Sequence, residues 1–98
     1  MHLDLICVES YLVLVEEAHY GRAAARLHVT SPTLTKRVQR LERQLKVRLL
    51  ERGPSGVVAL TPAGVRLGLD AGPLLEHERA AREAAQRGTA AAPLDVLA

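Results

Sequence analysis

Between Thr30 and Arg52 the sequence sets short hydroxyl side chains directly ahead of a run of cations. Ser31, Thr33 and Thr35 can each donate and accept a hydrogen bond, and Pro32 offers an apolar surface among them. Lys36, Arg37 and Arg40 follow, then Arg43, Lys46, Arg48 and Arg52. Such a set suits hydrogen bonding to polar edges and neutralisation of a polyanion. Other chemistry lacks its parts. Ser31 and Ser55 have no base placed beside them by any motif. His2, His19, His28 and His77 do not pair with Cys or carboxylates at metal-ligand spacing. Cys7 sits among apolar neighbours and reads as a small core hydrophobe. Gly53-Pro54-Ser55-Gly56 has no Lys-Ser/Thr behind it, as a phosphate loop would. No catalytic, cofactor-binding or metal-binding residue is expected, and the chain does not read as an enzyme.

The formal net charge is only +2, but its distribution is uneven. The first 19 residues hold Asp4, Glu9, Glu16 and Glu17 and no Lys or Arg. From Tyr20 to Arg52, Arg22 and Arg26 join the cations above, opposed only by Glu42 and Glu51. Charge alone fits a polyanion-binding surface and a solvated helix face equally well. The 98 residues allow one small domain or one domain plus an appended element, and Tyr11 and Tyr20 are the only aromatics, so an aliphatic core is expected. No apolar stretch is long enough to span a bilayer, and Met1–Val15 lacks the basic start of a secretion signal. With a single cysteine besides, the expected location is cytoplasmic, with no membrane partner.

These residues must be positioned by helices and a hairpin. Helical spacing predicts a first helix from about Asp4 to Glu17, with Leu5, Val8, Leu12 and Val15 as its core stripe, widened by Tyr11 and Leu14. A short second helix follows from about Gly21 to Leu27, then a turn at His28-Val29. Thr30 is a good N-cap, and Pro32 is tolerated in the first turn of a third helix reaching about Leu45. Leu34, Val38, Leu41 and Leu45 give that helix an apolar stripe opposite Lys36, Gln39, Arg40 and Arg43. Arg48–Glu51 and Val57–Leu60 then read as a hairpin around the Gly53–Gly56 turn. Thr61-Pro62 opens a fourth helix, kinked or broken near Gly72-Pro73. Its Ala63, Leu67, Ala71, Leu74 and Ala81 face and its Val65 and Leu69 face call for two partners, its own domain and a second subunit.

A short helix, a tight turn and a helix with a polar N-terminal end make a helix-turn-helix, whose second helix enters the major groove of duplex DNA. Ser31, Thr33 and Thr35 can then meet base edges or phosphates, and Pro32 a thymine methyl. Lys36, Arg37 and Arg40 can neutralise phosphates. The hairpin becomes a wing, with Arg52 at its base able to reach a narrow minor groove.

The run Arg22-Ala23-Ala24-Ala25-Arg26-Leu27-His28-Val29-Thr30-Ser31-Pro32-Thr33-Leu34-Thr35 resembles the helix-turn-helix of LysR-type transcriptional regulators. So does the stretch from Val38 to Arg52, and Leu60-Thr61-Pro62-Ala63-Gly64 is similar to the start of that family's linker helix. The resemblance covers about Leu5 to Gln86. It implies a mainly α fold: a winged helix-turn-helix of three helices and a two-stranded wing over residues 1–61, then a linker and dimerisation helix over 62–87. Residues 88–98 are expected as a flexible tail toward an effector-binding domain absent from this chain, with Leu94–Leu97 as the start of its first strand. The expected DNA contacts are Thr30, Ser31, Pro32, Thr33, Thr35, Lys36, Arg37, Arg40 and Arg52. The expected dimer interface is Ala63, Leu67, Ala71, Leu74 and Ala81. The resemblance further implies double-stranded promoter DNA as partner, homodimers through the linker helix, tetramers at full length, and a small-molecule effector bound only by the absent domain.

Several positions depart from the family pattern. The family usually has Phe near Tyr11, Tyr20 and Leu50, so this core is repacked. His19 replaces a Ser ahead of the second helix and is a weaker cap. Ser31 stands where Gln is common; Gln can read adenine bidentately and Ser cannot. Lys46 stands where Gly is frequent and is mildly strained if that position needs positive φ. The competing reading is a winged helix that docks an acidic protein partner on its basic face, which fold alone does not exclude.

Overall fold

The computed structural model describes residues 2–88. The tail expected beyond Gly88 and the strand expected at Leu94–Leu97 lie outside the described residues. Four helices and one hairpin follow in order: α1 (Leu5–Glu17), α2 (Tyr20–Leu27), α3 (Ser31–Leu45), β1 (Leu50–Arg52), β2 (Val58–Leu60) and α4 (Pro62–Arg87). The architecture is the expected winged helix-turn-helix with a long fourth helix.

Each helix starts on a side-chain cap that satisfies a free first-turn N–H. Asp4 accepts from Ile6 N, Thr30 from Thr33 N, and Thr61 from Gly64 N. His19 proves an effective cap, because its ring Nδ1 accepts from Arg22 N at 3.1 Å. The α2 helix therefore begins at Tyr20, one residue earlier than its composition suggests. Ala18, His28 and Lys46 end their helices in the left-handed conformation. Lys46 has φ 59°, so a side chain there carries the mild strain that glycine would avoid.

Tyr11, Leu14, Leu34, Val38, Leu41 and Leu49 are fully buried and form the centre of the core. The α1 stripe differs from the expected one. Val8, Tyr11 and Leu14 are its buried centre, with Cys7, Ser10 and Val13, whereas Leu5 is exposed and Leu12 and Val15 are half-buried. The helix is apolar nearly all round and packs against α2, α3 and α4 at once. Periodicity could not choose which wide arc those neighbours would cover.

The wing is shorter than its apolar pattern. Leu50 pairs with Leu60 and Arg52 with Val58. Arg48 and Leu49 are diverted into other bonds. Leu49 N donates to Glu42 Oε2 at 2.8 Å, Thr61 N donates to Leu49 O at 3.1 Å, and the Thr61 hydroxyl donates to Arg48 O at 2.6 Å. These bonds fasten the end of α3, the wing and the start of α4 together.

The α4 helix runs as one element through Gly72-Pro73, so it is not broken in two there. Pro73 forfeits its bond to the Leu69 carbonyl, but both residues are exposed, so water can take that bond. The two apolar faces of α4 are both present, and the chain's own core takes the one expected for a second subunit. Ala71 is fully buried, and Ala63 and Leu67 pack on the same core, so the chain's own domain occupies this side. Val65 and Leu69 remain open to solvent, 49% and 66% exposed. Leu74 and Ala81 are also exposed, Ala81 well beyond the core. The outer end of α4 is laced by Arg79 with Glu76 and Glu83, and by Arg82 with Glu78. Each such exposed pair adds little to stability.

The Tyr11 hydroxyl donates to Gly64 O at 2.7 Å and ties α4 to α1. Burial, with the Glu42 carboxylate as a second cause, pushes this phenol up to about 12. The folded state holds the proton more tightly than the unfolded chain, whose tyrosine ionises near about 10. That stability is complete below about pH 10 and is lost as pH rises toward about 12. Urea midpoints should fall through this window. Tyr11→Phe should flatten the fall, and an equally steep fall in that variant would refute the assignment.

Candidate nucleic-acid interface

The turn between α2 and α3 is closed by the backbone. Val29 N donates to Ala24 O at 3.0 Å, and left-handed His28 reverses the chain. Thr30 then starts α3, its hydroxyl donating to Thr33 Oγ1 at 3.0 Å. Leu34, Val38 and Leu41 face the core, which turns the polar arc of α3 outward.

Two surfaces flank that arc. Toward the wing, Ser31, Pro32, Thr35, Lys36, Gln39 and Arg52 line one open groove. Toward the start of α1, Thr33, Lys36, Arg37, Arg40 and Arg43 border a second, together with Asp4, Ile6 and Cys7. Lys36 stands on the ridge between them. Five of the nine expected contact residues therefore converge beside the wing, and Thr33, Arg37 and Arg40 fall to the other side. Thr30 serves chiefly as the cap.

Charge pairing separates the cations further. Arg40 Nε lies 3.7 Å from Asp4, and Arg37 donates to the buried Ser10 hydroxyl at 3.0 Å. Arg22 and Arg26 pair with Glu16 and Glu17, and Arg48 with Glu42. Among the described residues of the Thr30–Arg52 stretch, Lys36, Arg43, Lys46 and Arg52 are exposed and make no ion pair. Their charge is not neutralised by a carboxylate among the described residues, and it is what a polyanion would meet first.

Three residues at this surface are absent from the expected DNA contacts. Gln39 lies one turn beyond Thr35 and two beyond Ser31, a helical spacing that could have flagged it. Tyr20 is buried, and the Arg52 guanidinium carbon lies 4.0 Å from its ring centroid. Burial, the largest cause, and the Glu42 carboxylate push the Tyr20 phenol up, while the Arg52 guanidinium pulls the other way. His19 bridges to Val57 of the wing, and Val58 N donates to Ala18 O at 3.2 Å, so the α1–α2 link anchors the hairpin. No sequence motif marks these contacts, because each joins residues distant in the chain.

Cys7 is buried, and among the described residues no three His, Cys, Asp or Glu side chains are grouped to hold a metal ion. Among those residues no helix is long and apolar enough to cross a membrane.

A family model for the bacterial regulatory helix-turn-helix protein, lysR family, matches residues 8–65. The uncharacterized HTH-type transcriptional regulator YnfL of Escherichia coli (strain K12) is 37% identical over 89% of this chain and 29% of its own length. The HTH-type transcriptional regulator ClcR of Pseudomonas putida is 42% identical over 80% of this chain and 27% of its own. The chain thus spans under a third of either relative. A full-length OxyR variant from Pseudomonas aeruginosa superposes with a TM-score of 0.81 at 40% identity, covering 91% of this chain and 30% of that one. A CbnR DBD solved in complex with DNA gives 0.82 at 31% identity, covering 89% of this chain and 99% of that one.

Proposed function

Since this chain belongs to the lysR family of bacterial regulatory helix-turn-helix proteins and has the fold of its DNA-binding domains, we propose that it binds double-stranded DNA sequence-specifically, as the DNA-binding part of a transcriptional regulator. Residues 1–61 read the DNA and 62–87 link two such readers. The observation that carries this is the groove between α3 and the wing. It sets the hydroxyls of Ser31 and Thr35 and the apolar Pro32 between two cations, Lys36 and Arg52, that no carboxylate pairs among the described residues. Ser31, Pro32, Thr33 and Thr35 meet base edges in the major groove. Lys36 clamps phosphate at the start of α3, where the helix dipole also favours an anion. Arg52 enters the adjacent minor groove. Arg37 and Arg40, already held by Ser10 and Asp4, contribute less.

Two copies pair through the open side of α4. Val65 and Leu69 supply the apolar surface, and Gly72 on the same side has nothing within 4 Å to obstruct a second helix. The apolar stretch is short, so the pairing is weak without further contacts. A dimer of this kind reads two half-sites about 34 Å apart or a multiple of that.

Selection from random duplexes, followed by salt titration on the selected site, tests the reading. Affinity should fall steeply with salt. Lys36→Ala should weaken binding to selected and unrelated duplexes alike and reduce the log–log salt slope by about 1. Thr33→Ala should instead alter the preferred sequence. Binding that ignores salt, or a Lys36→Ala slope equal to wild type, would count against this surface.

A further inference from the structure

We infer that Tyr20 is a positioning residue for DNA recognition, holding the wing arginine Arg52 ready for the groove. This rests on the DNA-binding reading above. The ring belongs to the first residue of α2, is 4% exposed and lies behind the His19 cap, so it is a fixed platform. The Arg52 guanidinium carbon sits 4.0 Å from its centroid, while no carboxylate pairs with Arg52 among the described residues. A guanidinium held by its face against a ring keeps its edge N–H donors free. Those edges are what a phosphate or a minor-groove acceptor needs. An arginine tied by a carboxylate would have to break that pair first.

Both ends of the Arg52 side chain are restrained. Its backbone pairs with Val58, and Val58 N is bonded to Ala18 O at 3.2 Å. Its head rests on Tyr20, so a long side chain loses less freedom when it binds.

The test has an arm that needs no DNA. In side-chain NMR spectra, the Arg52 δ and ε protons should be shifted by the Tyr20 ring current, and Tyr20→Leu should abolish the shift. Unshifted, averaged Arg52 signals in the wild type would overturn the proposal, whether or not the protein binds DNA.

The second arm is a double-mutant cycle on the selected duplex. Arg52→Ala should cost about tenfold in affinity. Tyr20→Leu should lose most of the same factor, and the double variant should be little worse than Arg52→Ala alone. Fully additive losses would mean that Tyr20 acts only through folding. Tyr20→Phe keeps the ring and guards against a variant that does not fold. It should bind within about threefold of wild type, because the ring face that holds Arg52 is retained. A Phe variant that folds but binds as weakly as Tyr20→Leu would overturn the proposal. Failure of the wild type to bind any duplex would instead sink the DNA-binding reading and leave the NMR arm to decide the placement of Arg52.

Discussion

Gly64→Ala should cost about 3 kcal/mol or more and leave little folded protein. A Cβ on Gly64 would stand 1.8 Å from the Leu49 carbonyl oxygen, 2.9 Å from its carbon and 2.8 Å from the Tyr11 hydroxyl. None of these can give way cheaply. The Leu49 carbonyl accepts from Thr61 N and its N–H donates to Glu42, so both sides of that residue are fixed. Tyr11 is fully buried and bonded to Gly64 itself. The better helix propensity of alanine, about 1 kcal/mol, is too small to compensate. Gly68→Ala makes the control. Its added Cβ would meet Val15 at an ordinary 3.8 Å, so it should stabilise by up to about 1 kcal/mol. Thermal melts of the two variants beside wild type decide the matter. Equal melting of Gly64→Ala and wild type would show that α4 does not approach Leu49 so closely.

Leu69→Glu should lower affinity for a duplex with two half-sites by about a hundredfold, by removing the linkage between two readers. Leu69 is 66% exposed, so the fold of one chain gains little from it. Paired across two copies, the same side chain would be buried, and two opposed carboxylates there would be costly. The melting temperature should therefore hold, and affinity for a single half-site should be unchanged. Sedimentation equilibrium at micromolar concentration should show the shift to monomer. A dimer that survives Leu69→Glu combined with Val65→Glu would place the interface elsewhere.

Much of this domain is readable from local chemistry. Thr30 and Thr61 announce their helices because a hydroxyl one step ahead of a proline-bearing first turn has few other uses. Leu34, Val38 and Leu41 repeat at helical spacing on a helix polar elsewhere, so the outward arc of α3 follows directly. The hydroxyl-then-cation order from Ser31 onward marked the surface now seen beside the wing. His19 was harder, because an imidazole caps only when its ring nitrogen happens to face the right amide.

What the chain alone determined was the order of its elements, the exposed face of the recognition helix and the residues at its start. These depend on neighbours within a few positions, and helical geometry converts such spacing into direction. Tertiary structure decided the rest. It assigned Ala63, Leu67 and Ala71 to the chain's own core and left Val65 and Leu69 open, because both faces of α4 are apolar and only packing selects between them. It sorted the cations, since whether an arginine is free depends on whether Asp4, Ser10 or Glu42 folds back to meet it. It also brought Arg52 over Tyr20, 32 positions earlier in the chain, where no spacing rule reaches.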